Sequence, residues 1–325
     1  MRKIILLTLA MIGVGVSIYL IYGYVNRTPP TPKPTLPGEE GTSISGETLL
    51  EGIRIQQIGW NGEYWLIACE TLPEKYFHLV SFDDNNFKDI MPQKLKNIKE
   101  IHISSISSDG ETWILKEEIV SENYPRTVYR FDGKDLEIEK ETVDSESYWK
   151  NTSCNEKYCL TWNKKAEELI KTYDGRAVDL AEEFEEASGM RVTFPGLFVE
   201  PIKWNGEYWL IRYGGKPPWM LVKYDGETFE YLLSGVRSFR WNGEYWLITL
   251  MNVNNSVARY DGESFEYISV SSSNGTDALG WNGKYWLIGT VNSPFGGSNG
   301  LVIYDGSTVT DLSEDFQKCV LENEN

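Results

Sequence analysis

The octapeptide Trp-Asn-Gly-Glu-Tyr-Trp-Leu-Ile decides the fold, and it occurs at residues 60–67, 204–211 and 241–248. A fourth copy at residues 281–288 has Lys284 in place of Glu, and two degenerate copies begin at Ser108 and Cys154. A second phrase, an aromatic residue followed by Asp-Gly or Asp-Asp, follows each copy, at Phe82, Phe131, Tyr173, Tyr224, Tyr260 and Tyr304. Self-similarity at this spacing is the signature of a repeat architecture, so the chain contains six repeats.

Each of the two phrases predicts a β-hairpin. Asn-Gly and Asp-Gly are favoured in two-residue turns because both turn positions need positive φ. The flanking residues are rich in β-branched and aromatic side chains, which favour strands. Two hairpins give four strands in about 44 residues, which is typical of a propeller blade. The sequence therefore predicts an all-β, six-bladed β-propeller, with seven blades as the alternative if the termini build another.

The tryptophans are expected to fill the space between blades. A two-residue turn would place Trp60 opposite Glu63, and both faces of the hairpin would then carry apolar side chains. A sheet that is apolar on both faces must be covered on both sides, as propeller blades are. Nine of the 12 tryptophans belong to the octapeptide or its degenerate copies, and we assign them a structural role: Trp60, Trp65, Trp113, Trp204, Trp209, Trp241, Trp246, Trp281 and Trp286.

These phrases resemble the repeats of known propeller proteins. The chain is similar to kelch-like and WD-like propellers, particularly to archaeal surface proteins with Trp-Asn-Gly-x-Tyr-Trp-Leu-Ile and Tyr-Asp-Gly repeats. The resemblance covers residues 50 to 312 approximately, and it implies the propeller architecture.

The N-terminal region predicts a membrane anchor. Residues 4–25 are an almost unbroken apolar run, and a helix of about 20 residues crosses the hydrocarbon core of a bilayer. A cleaved signal peptide is the alternative, but its apolar region is usually only about 7–15 residues. We expect a cytoplasmic stub at 1–3, a transmembrane signal anchor at 4–25, a Pro-rich linker at 26–44 and the propeller at 45–325. Arg2 and Lys3 favour a cytoplasmic N-terminus, which places the propeller outside the cytoplasm.

Charge and composition exclude several classes of ligand. The formal net charge is -17, from 48 acidic and 31 basic residues. Such a chain repels phosphate backbones, so we expect no nucleic-acid partner. Two histidines leave little material for a His-rich metal site, and no phosphate-binding glycine loop precedes a helix. We therefore expect neither a metal nor a cofactor.

The four cysteines are candidates for two disulfides. Cys154 and Cys159 occupy the positions of the two tryptophans of the first copy. They face each other within disulfide reach if this connection widens to four residues, whereas a two-residue register leaves them too far apart; two buried thiols are the alternative. Cys69 and Cys319 belong to the first blade and to the segment after the last blade, so a bridge between them would join neighbouring ends of a closed ring. An even cysteine count is compatible with both bridges in an exported protein.

The binding face is predicted from the lengths of the connections. Tight turns fall on one side of the propeller, and the longer connections fall on the other, where binding residues of a rigid scaffold concentrate. Aromatic and Arg side chains dominate interface hot spots, which makes candidates of Tyr124, Arg126, Tyr213, Trp219 and Phe295. We expect a non-catalytic module at the cell membrane that binds a protein or a glycan. A propeller-type glycoside hydrolase and a scaffold subunit of a membrane complex remain the alternatives, and the oligomeric state stays open.

Overall fold

The computed structural model of the protein describes ten segments of the chain, which belong to one compact unit, Thr42–Asn325. They are residues 52–72, 76–92, 101–117, 125–142, 150–189, 198–214, 219–251, 257–270, 276–291 and 299–322. The predicted stub, anchor and linker, up to residue 44, lie outside the described residues. Neither helix in the described segments has the length and hydropathy that a membrane crossing requires.

The described strands form six antiparallel sheets of four strands each, and every sheet uses four strands that are consecutive in the chain. Blade 1 contains β1 Ile53–Trp60, β2 Trp65–Thr71, β3 Phe77–Phe82 and β4 Phe87–Asp89. Blade 2 contains β5 Ile103–Ser108, β6 Trp113–Glu117, β7 Arg126–Phe131 and β8 Leu136–Glu141. Blade 3 contains β9 Lys150–Cys154, β10 Cys159–Asn163, β11 Glu168–Tyr173 and β12 Arg176–Asp179.

The second half of the ring repeats this order. Blade 4 contains β13 Phe198–Trp204, β14 Trp209–Gly214, β15 Met220–Tyr224 and β16 Phe229–Ser234. Blade 5 contains β17 Val236–Trp241, β18 Trp246–Leu250, β19 Val257–Tyr260 and β20 Phe265–Ile268. Blade 6 contains β21 Thr276–Trp281, β22 Trp286–Val291, β23 Asn299–Tyr304 and β24 Val309–Asp311. Helix α1, Ala181–Ser188, follows blade 3, and helix α2, Ser313–Glu322, follows blade 6.

First strands of neighbouring blades pack against one another at four junctions: β1 contacts both β5 and β21, β9 contacts β13, and β17 contacts β21. The first and last blades are therefore neighbours, and the six sheets form a closed six-bladed β-propeller, as the repeats predicted. Each helix supports a junction in the same way. Phe184 of α1 packs edge-on against Phe229 of blade 4 at 5.5 Å between ring centroids, and Phe316 of α2 packs in the same manner against Phe87 of blade 1, also at 5.5 Å.

The hairpin turns differ from the prediction. Trp60 pairs directly with Trp65, so four residues separate the strands and the predicted pairing of Trp60 with Glu63 is wrong. The side chain of Asn61 closes this loop, since its Oδ1 accepts the backbone N–H of Glu63 at 3.0 Å and that of Tyr64 at 2.9 Å. A side chain that accepts two backbone hydrogen bonds explains why Asn or Asp recurs here. The same pair of bonds is made by Asp83, Asp109, Asp132, Asn155, Asn205, Asp225, Asn242, Asp261, Asn282 and Asp305.

One described hairpin has the predicted two-residue turn. Tyr173 pairs with Arg176, and the two turn residues, Asp174 and Gly175, have φ values of 47° and 71°. This turn needs two residues with positive φ. In the four-residue loops the glycine takes positive φ, as Gly62 does at 106°.

Aromatic pairs join the blades. A Trp at the start of each second strand packs against a Tyr of the preceding blade, except in blade 3. Trp113 Nε1 donates to Tyr64 Oη at 2.7 Å, and Trp286 Nε1 donates to Tyr245 Oη at 3.0 Å. At the ring closure Trp65 Nε1 donates to Tyr285 Oη at 3.2 Å. The equivalent pairs at the other two such junctions are Tyr158–Trp209, with centroids 4.6 Å apart, and Tyr208–Trp246, which share one hydrophobic cluster.

The junction between blades 2 and 3 lacks this pair. Thr112 stands at the position of the Tyr, and Cys159 stands at the position of the Trp. The hydrophobic clusters among the described residues span the other five junctions, and none of them joins blade 2 to blade 3. The first strand of blade 3 is correspondingly polar, and Lys150, Thr152 and Cys154 are exposed.

The cysteine predictions have different outcomes. Cys154 pairs with Cys159 across a four-residue loop, with a Cα–Cα distance of 4.0 Å, and the two form the predicted disulfide. The predicted Cys69–Cys319 bridge is not formed. Cys69 is fully buried in β2, whereas α2 inserts Phe316 and Val320 into the core and leaves Cys319 half-buried on its flank. Burial raises the pKa of both thiols, that of Cys319 to about 11, which favours their protonated form.

Candidate functional site

The two faces of the propeller differ in their chemistry. Because each blade is a meander, the Asn- and Asp-closed turns lie on one side, which we call the turn face. The connections between second and third strands and between blades lie on the other side, which we call the loop face. Hydrogen bonds to their own loops occupy the Asn and Asp side chains of the turn face and lower the pKa of carboxyls such as Asp109 and Asp132. Apart from the two-residue turn of blade 3, the described turns of the turn face share one geometry, and we expect variation to be concentrated on the loop face.

Two of the predicted binding residues have structural roles. Tyr213 lies at the loop-face end of β14 but is only 1% exposed, and its hydroxyl donates to Ser188 O at 3.2 Å. Its ring packs against Phe184 of α1 with centroids 5.0 Å apart, and burial raises its pKa. Arg126 donates from Nε to Glu141 Oε2 at 2.9 Å within blade 2. Tyr124 and Phe295 lie outside the described residues.

Trp219 is the predicted residue that the structure places beside other groups suited to binding. It is partly exposed at the loop-face start of β15, and its carbonyl accepts the N–H groups of Gly235 and Val236 at the entrance to blade 5. The guanidinium carbon of Arg212 lies 4.4 Å from the centroid of its ring. This stacked pair presents a planar cation against an aromatic surface.

Four cations lie at the junction of blades 4 and 5, and we call them the basic cluster: Lys203, Arg212, Arg237 and Arg240. Of these, Arg212 contacts Trp219, whereas Lys203 and Arg240 lie next to the turn-face ends of β13 and β17. Each of three side chains reaches the first strand of the next blade. Lys203 Nζ donates to Phe239 O at 3.4 Å, Arg240 Nη1 donates to Leu279 O at 3.1 Å, and Arg212 donates to Arg237 O. First strands line the axis of a propeller, and Lys203, Arg237 and Arg240 lie on the first strands of blades 4 and 5.

The surroundings of Lys203 are those of a largely desolvated cation. Burial lowers its pKa from 10.5 to about 8, and the nearby charges of Arg240 and Arg212 act in the same direction. Burial also lowers the pKa of Arg240, although the residue keeps exposed surface. A side chain such as Arg240, which is exposed to solvent and yet partly desolvated, fits a position that lines a concave channel. In the part of the chain that the structure describes, no carboxylate lies within ion-pair distance of Lys203 or Arg240.

The prediction from sequence missed these cations, although the repeat contains the signal. Lys203 and Arg240 directly precede the first aromatic residue of the octapeptide, Trp204 or Trp241. The other four repeats have small residues at this position: Gly59, Ser107, Ser153 and Gly280. A Cβ on Gly59 would come within 2.9 Å of Trp113 of blade 2, so a small residue there lets the blades approach closely. When the six repeats are aligned, this position holds a long cationic side chain in blades 4 and 5 and a small residue in the other four blades. Blades 4 and 5 therefore differ from the rest of the ring at this position.

Comparisons with known proteins assign no family to this chain. No family model matches the chain, and no curated protein matches it. Among solved structures, the SapL1 lectin in complex with alpha methyl fucoside is 10% identical over 81% of this chain and 97% of its own, with a TM-score of 0.42. The β-propeller domain of the Trilobed protease from Pyrococcus furiosus is 13% identical over 81% of this chain and 86% of its own, with a TM-score of 0.36.

Proposed function

We propose that the protein is a membrane-anchored, extracytoplasmic β-propeller that binds a protein or glycan ligand through its loop face and performs no catalysis. The observation that carries the proposal is the Arg212–Trp219 pair towards the loop face, in which the guanidinium carbon lies 4.4 Å from the ring centroid. An aromatic ring and a guanidinium supply the contacts that dominate binding hot spots.

The proposed anchor is the apolar segment 4–25, preceded by the cytoplasmic stub 1–3 and followed by the linker 26–44. Two features support a location outside the cytoplasm. Arg2 and Lys3 favour a cytoplasmic N-terminus, and the Cys154–Cys159 disulfide is of a kind that persists in oxidising compartments. We expect protease added to intact cells to cleave the propeller. We also expect the protein to stay in the membrane fraction after alkaline extraction. Cleavage only after cell lysis would contradict this orientation.

A glycan array and a pull-down test the binding role. The protein is applied as the compact unit from Thr42 to Asn325, whose ring closes between its first and last blades. We expect binding that Trp219→Ala reduces about ten-fold or more, as for a hot-spot aromatic residue. Lys284→Ala, at an exposed position of the turn face, is the matched control and should leave binding unchanged. Turnover of a glycoside would favour the hydrolase alternative, and equal loss in both variants would contradict a loop-face site.

A further inference from the structure

The Cys154–Cys159 disulfide spans a loop that other bonds already close. Asn155 Oδ1 accepts the backbone N–H groups of Lys157 and Tyr158, both at 2.8 Å, and Asn155 N donates to Tyr158 O at 3.0 Å. The same pair of side-chain bonds closes the first hairpin of each of the other five blades. None of those hairpins contains two cysteines. Reduction of the bridge therefore leaves the loop with the bonds that suffice elsewhere in the ring.

The loop is also fixed to its surroundings by contacts that do not involve sulfur. The ring of Tyr158 packs against Trp209 of blade 4 with centroids 4.6 Å apart, and Lys171 Nζ lies 4.3 Å from the centroid of the Tyr158 ring. Five consecutive residue pairs join β9 to β10, and Cys154–Cys159 is the pair next to the loop. The two thiols of the reduced form therefore stay side by side, and the bridge can form again without refolding.

The bridge is accessible from solvent. Cys159 is partly exposed, whereas the Trp at the equivalent position of each of the other five blades is at most 1% exposed. Cys154 is exposed, and β5 of the neighbouring blade 2 exposes Ser105 and Ser107. No hydrophobic cluster among the described residues joins these two blades. A nucleophile therefore reaches the bridge in the folded protein, and exposed disulfides are the ones that exchange, whereas structural ones resist reduction.

The two remaining cysteines provide an internal comparison. Cys69 is fully buried in β2, and Cys319 is half-buried on the flank of α2. Because burial raises the pKa of both thiols, they are held in the protonated form, and the thiolate is the nucleophile in disulfide exchange. In the folded protein Cys69 and Cys319 are therefore poor nucleophiles and do not compete with the Cys154–Cys159 pair.

We propose that Cys154–Cys159 is a thiol–disulfide exchange site whose co-reactant is a dithiol. A thiolate of the dithiol attacks the sulfur of Cys154, the more exposed of the two; the bond between the two cysteines breaks, and Cys159 leaves as a thiolate that takes up a proton. The second thiol of the co-reactant loses its proton and attacks the mixed disulfide, so that Cys154 leaves and is protonated. The bridge is reduced to two thiols, and the dithiol is oxidised to a disulfide.

The position of the two cysteines selects a dithiol over a single thiol. Cys159 pairs directly with Cys154 and stays beside it in the mixed disulfide, so it attacks Cys154 and expels a single thiol before a second one arrives. A dithiol carries its own second thiol and resolves the mixed disulfide first, because the reaction is intramolecular. The exchange activity goes beyond ligand binding at the loop face and does not depend on it.

The test is reduction of the folded, full-length protein in a non-ionic detergent. Dithiothreitol is the dithiol probe and 2-mercaptoethanol is the single-thiol probe; labelling with N-ethylmaleimide and peptide mass spectrometry identify the reduced cysteines. We expect Cys154 and Cys159 to be labelled at a rate proportional to the concentration of dithiothreitol, at least about ten-fold faster than Cys69. The tryptophan fluorescence should stay native, and oxidised dithiothreitol should restore the bridge without denaturant. At equal thiol concentration, 2-mercaptoethanol should leave at least about ten-fold less of the bridge reduced.

Two variants complete the test. Cys154→Ala combined with Cys159→Ala should keep the native circular dichroism spectrum, because the Asn155 bonds close the loop. Cys159→Ser leaves the exposed thiol and should form a mixed disulfide with oxidised glutathione at least about ten-fold faster than Cys154→Ser, which leaves the less exposed one.

Each outcome supports or overturns the proposal. Reduction at the rate of unfolding, independent of the dithiothreitol concentration, would overturn it, as would loss of native fluorescence on reduction or a double variant that does not fold, since the bridge would then be structural. Equal reduction by the two probes would overturn the assignment of a dithiol, and equal rates for the two Ser variants would overturn attack at Cys154. None of these results concerns Trp219, so the proposed binding role is tested separately.

Discussion

Replacing Lys203 by Met should stabilise the propeller at neutral pH. Burial lowers the Lys203 pKa from 10.5 to about 8, and at about 1.4 kcal/mol per pH unit this difference disfavours folding by about 3 kcal/mol. Methionine has a similar length and no charge. The variant loses the hydrogen bond to Phe239 O, which is worth about 1 kcal/mol. We expect a net gain of about 2 kcal/mol in the free energy of unfolding at pH 7.

The pH dependence follows from proton binding. Between pH 8 and pH 10.5 the unfolded wild-type chain binds more protons at Lys203 than the folded chain, so this group makes stability rise with pH. Below pH 8 both states are protonated there and the full cost is present. The advantage of Lys203→Met should therefore decline by about 3 kcal/mol between pH 7 and pH 10.5 and change sign. Tyrosines whose pKa burial raises, such as Tyr208, affect both proteins equally and cancel.

Urea unfolding followed by tryptophan fluorescence, at pH 7 and pH 10.5, measures this difference. Lys223→Met provides the control, because it removes a partly exposed lysine that is paired with Glu230; it should destabilise by less than about 1 kcal/mol. A wild type that is as stable as Lys203→Met at pH 7, with a difference that does not vary with pH, would refute the desolvation of Lys203.

Three further predictions concern the ring, the turns and the cysteines. Phe316→Ala should destabilise the protein by about 3–5 kcal/mol in urea unfolding, because Phe316 is fully buried between blades 6 and 1. The control Lys318→Ala, on the exposed side of α2, should change stability by less than about 0.5 kcal/mol. Hydrogen bonds lower the pKa of Asp305 from 3.8, so the stabilisation by this carboxylate is present above pH 3.8 and is lost as the pH falls. The melting temperature of Asp305→Asn should therefore decrease less steeply with acid than that of the wild type. An unchanged pH dependence would contradict this role. Alkylation of the unfolded, non-reduced protein should modify two of the four cysteines, and labelling of all four or of none would be inconsistent with the structure.

The repeats predicted the architecture because they encode local structure. Each phrase specifies a hairpin through its own residues, and two hairpins complete one blade. The register was wrong because the Asn side chain of the octapeptide has two possible roles. A two-residue turn uses the tolerance of Asn61 for positive φ, whereas the structure uses its side-chain oxygen to accept two backbone N–H groups. Both roles select the same residue, so composition alone does not separate them.

The candidate site was harder to predict because it depends on contacts between repeats. Tyr213 was predicted to bind because it is an aromatic residue that was placed in a long connection, but β14 continues to Gly214. The alternation from Trp209 places Tyr213 on the buried side of this strand, which period-two patterning could have indicated. Lys203 and Arg240 are unremarkable as single residues. Their significance comes from the neighbouring blade, whose backbone carbonyls they reach; Lys203 is in addition repelled by the like charge of Arg240 in that blade.

The polar junction between blades 2 and 3 lies away from the junction of blades 6 and 1, where the two ends of the described propeller chain meet. Trp65 and Tyr285 bond where the first and last blades meet, while Thr112 and Cys159 occupy the equivalent positions between blades 2 and 3. Among the described residues this is the one junction that no hydrophobic cluster spans. We therefore expect the ring to open there first and to behave as a linear array that runs from blade 3 through blades 6 and 1 to blade 2. The order in which the blades hold together would then be circularly permuted relative to their order in the chain. Amide hydrogens of β5 and β9 should exchange before those of β1 and β21.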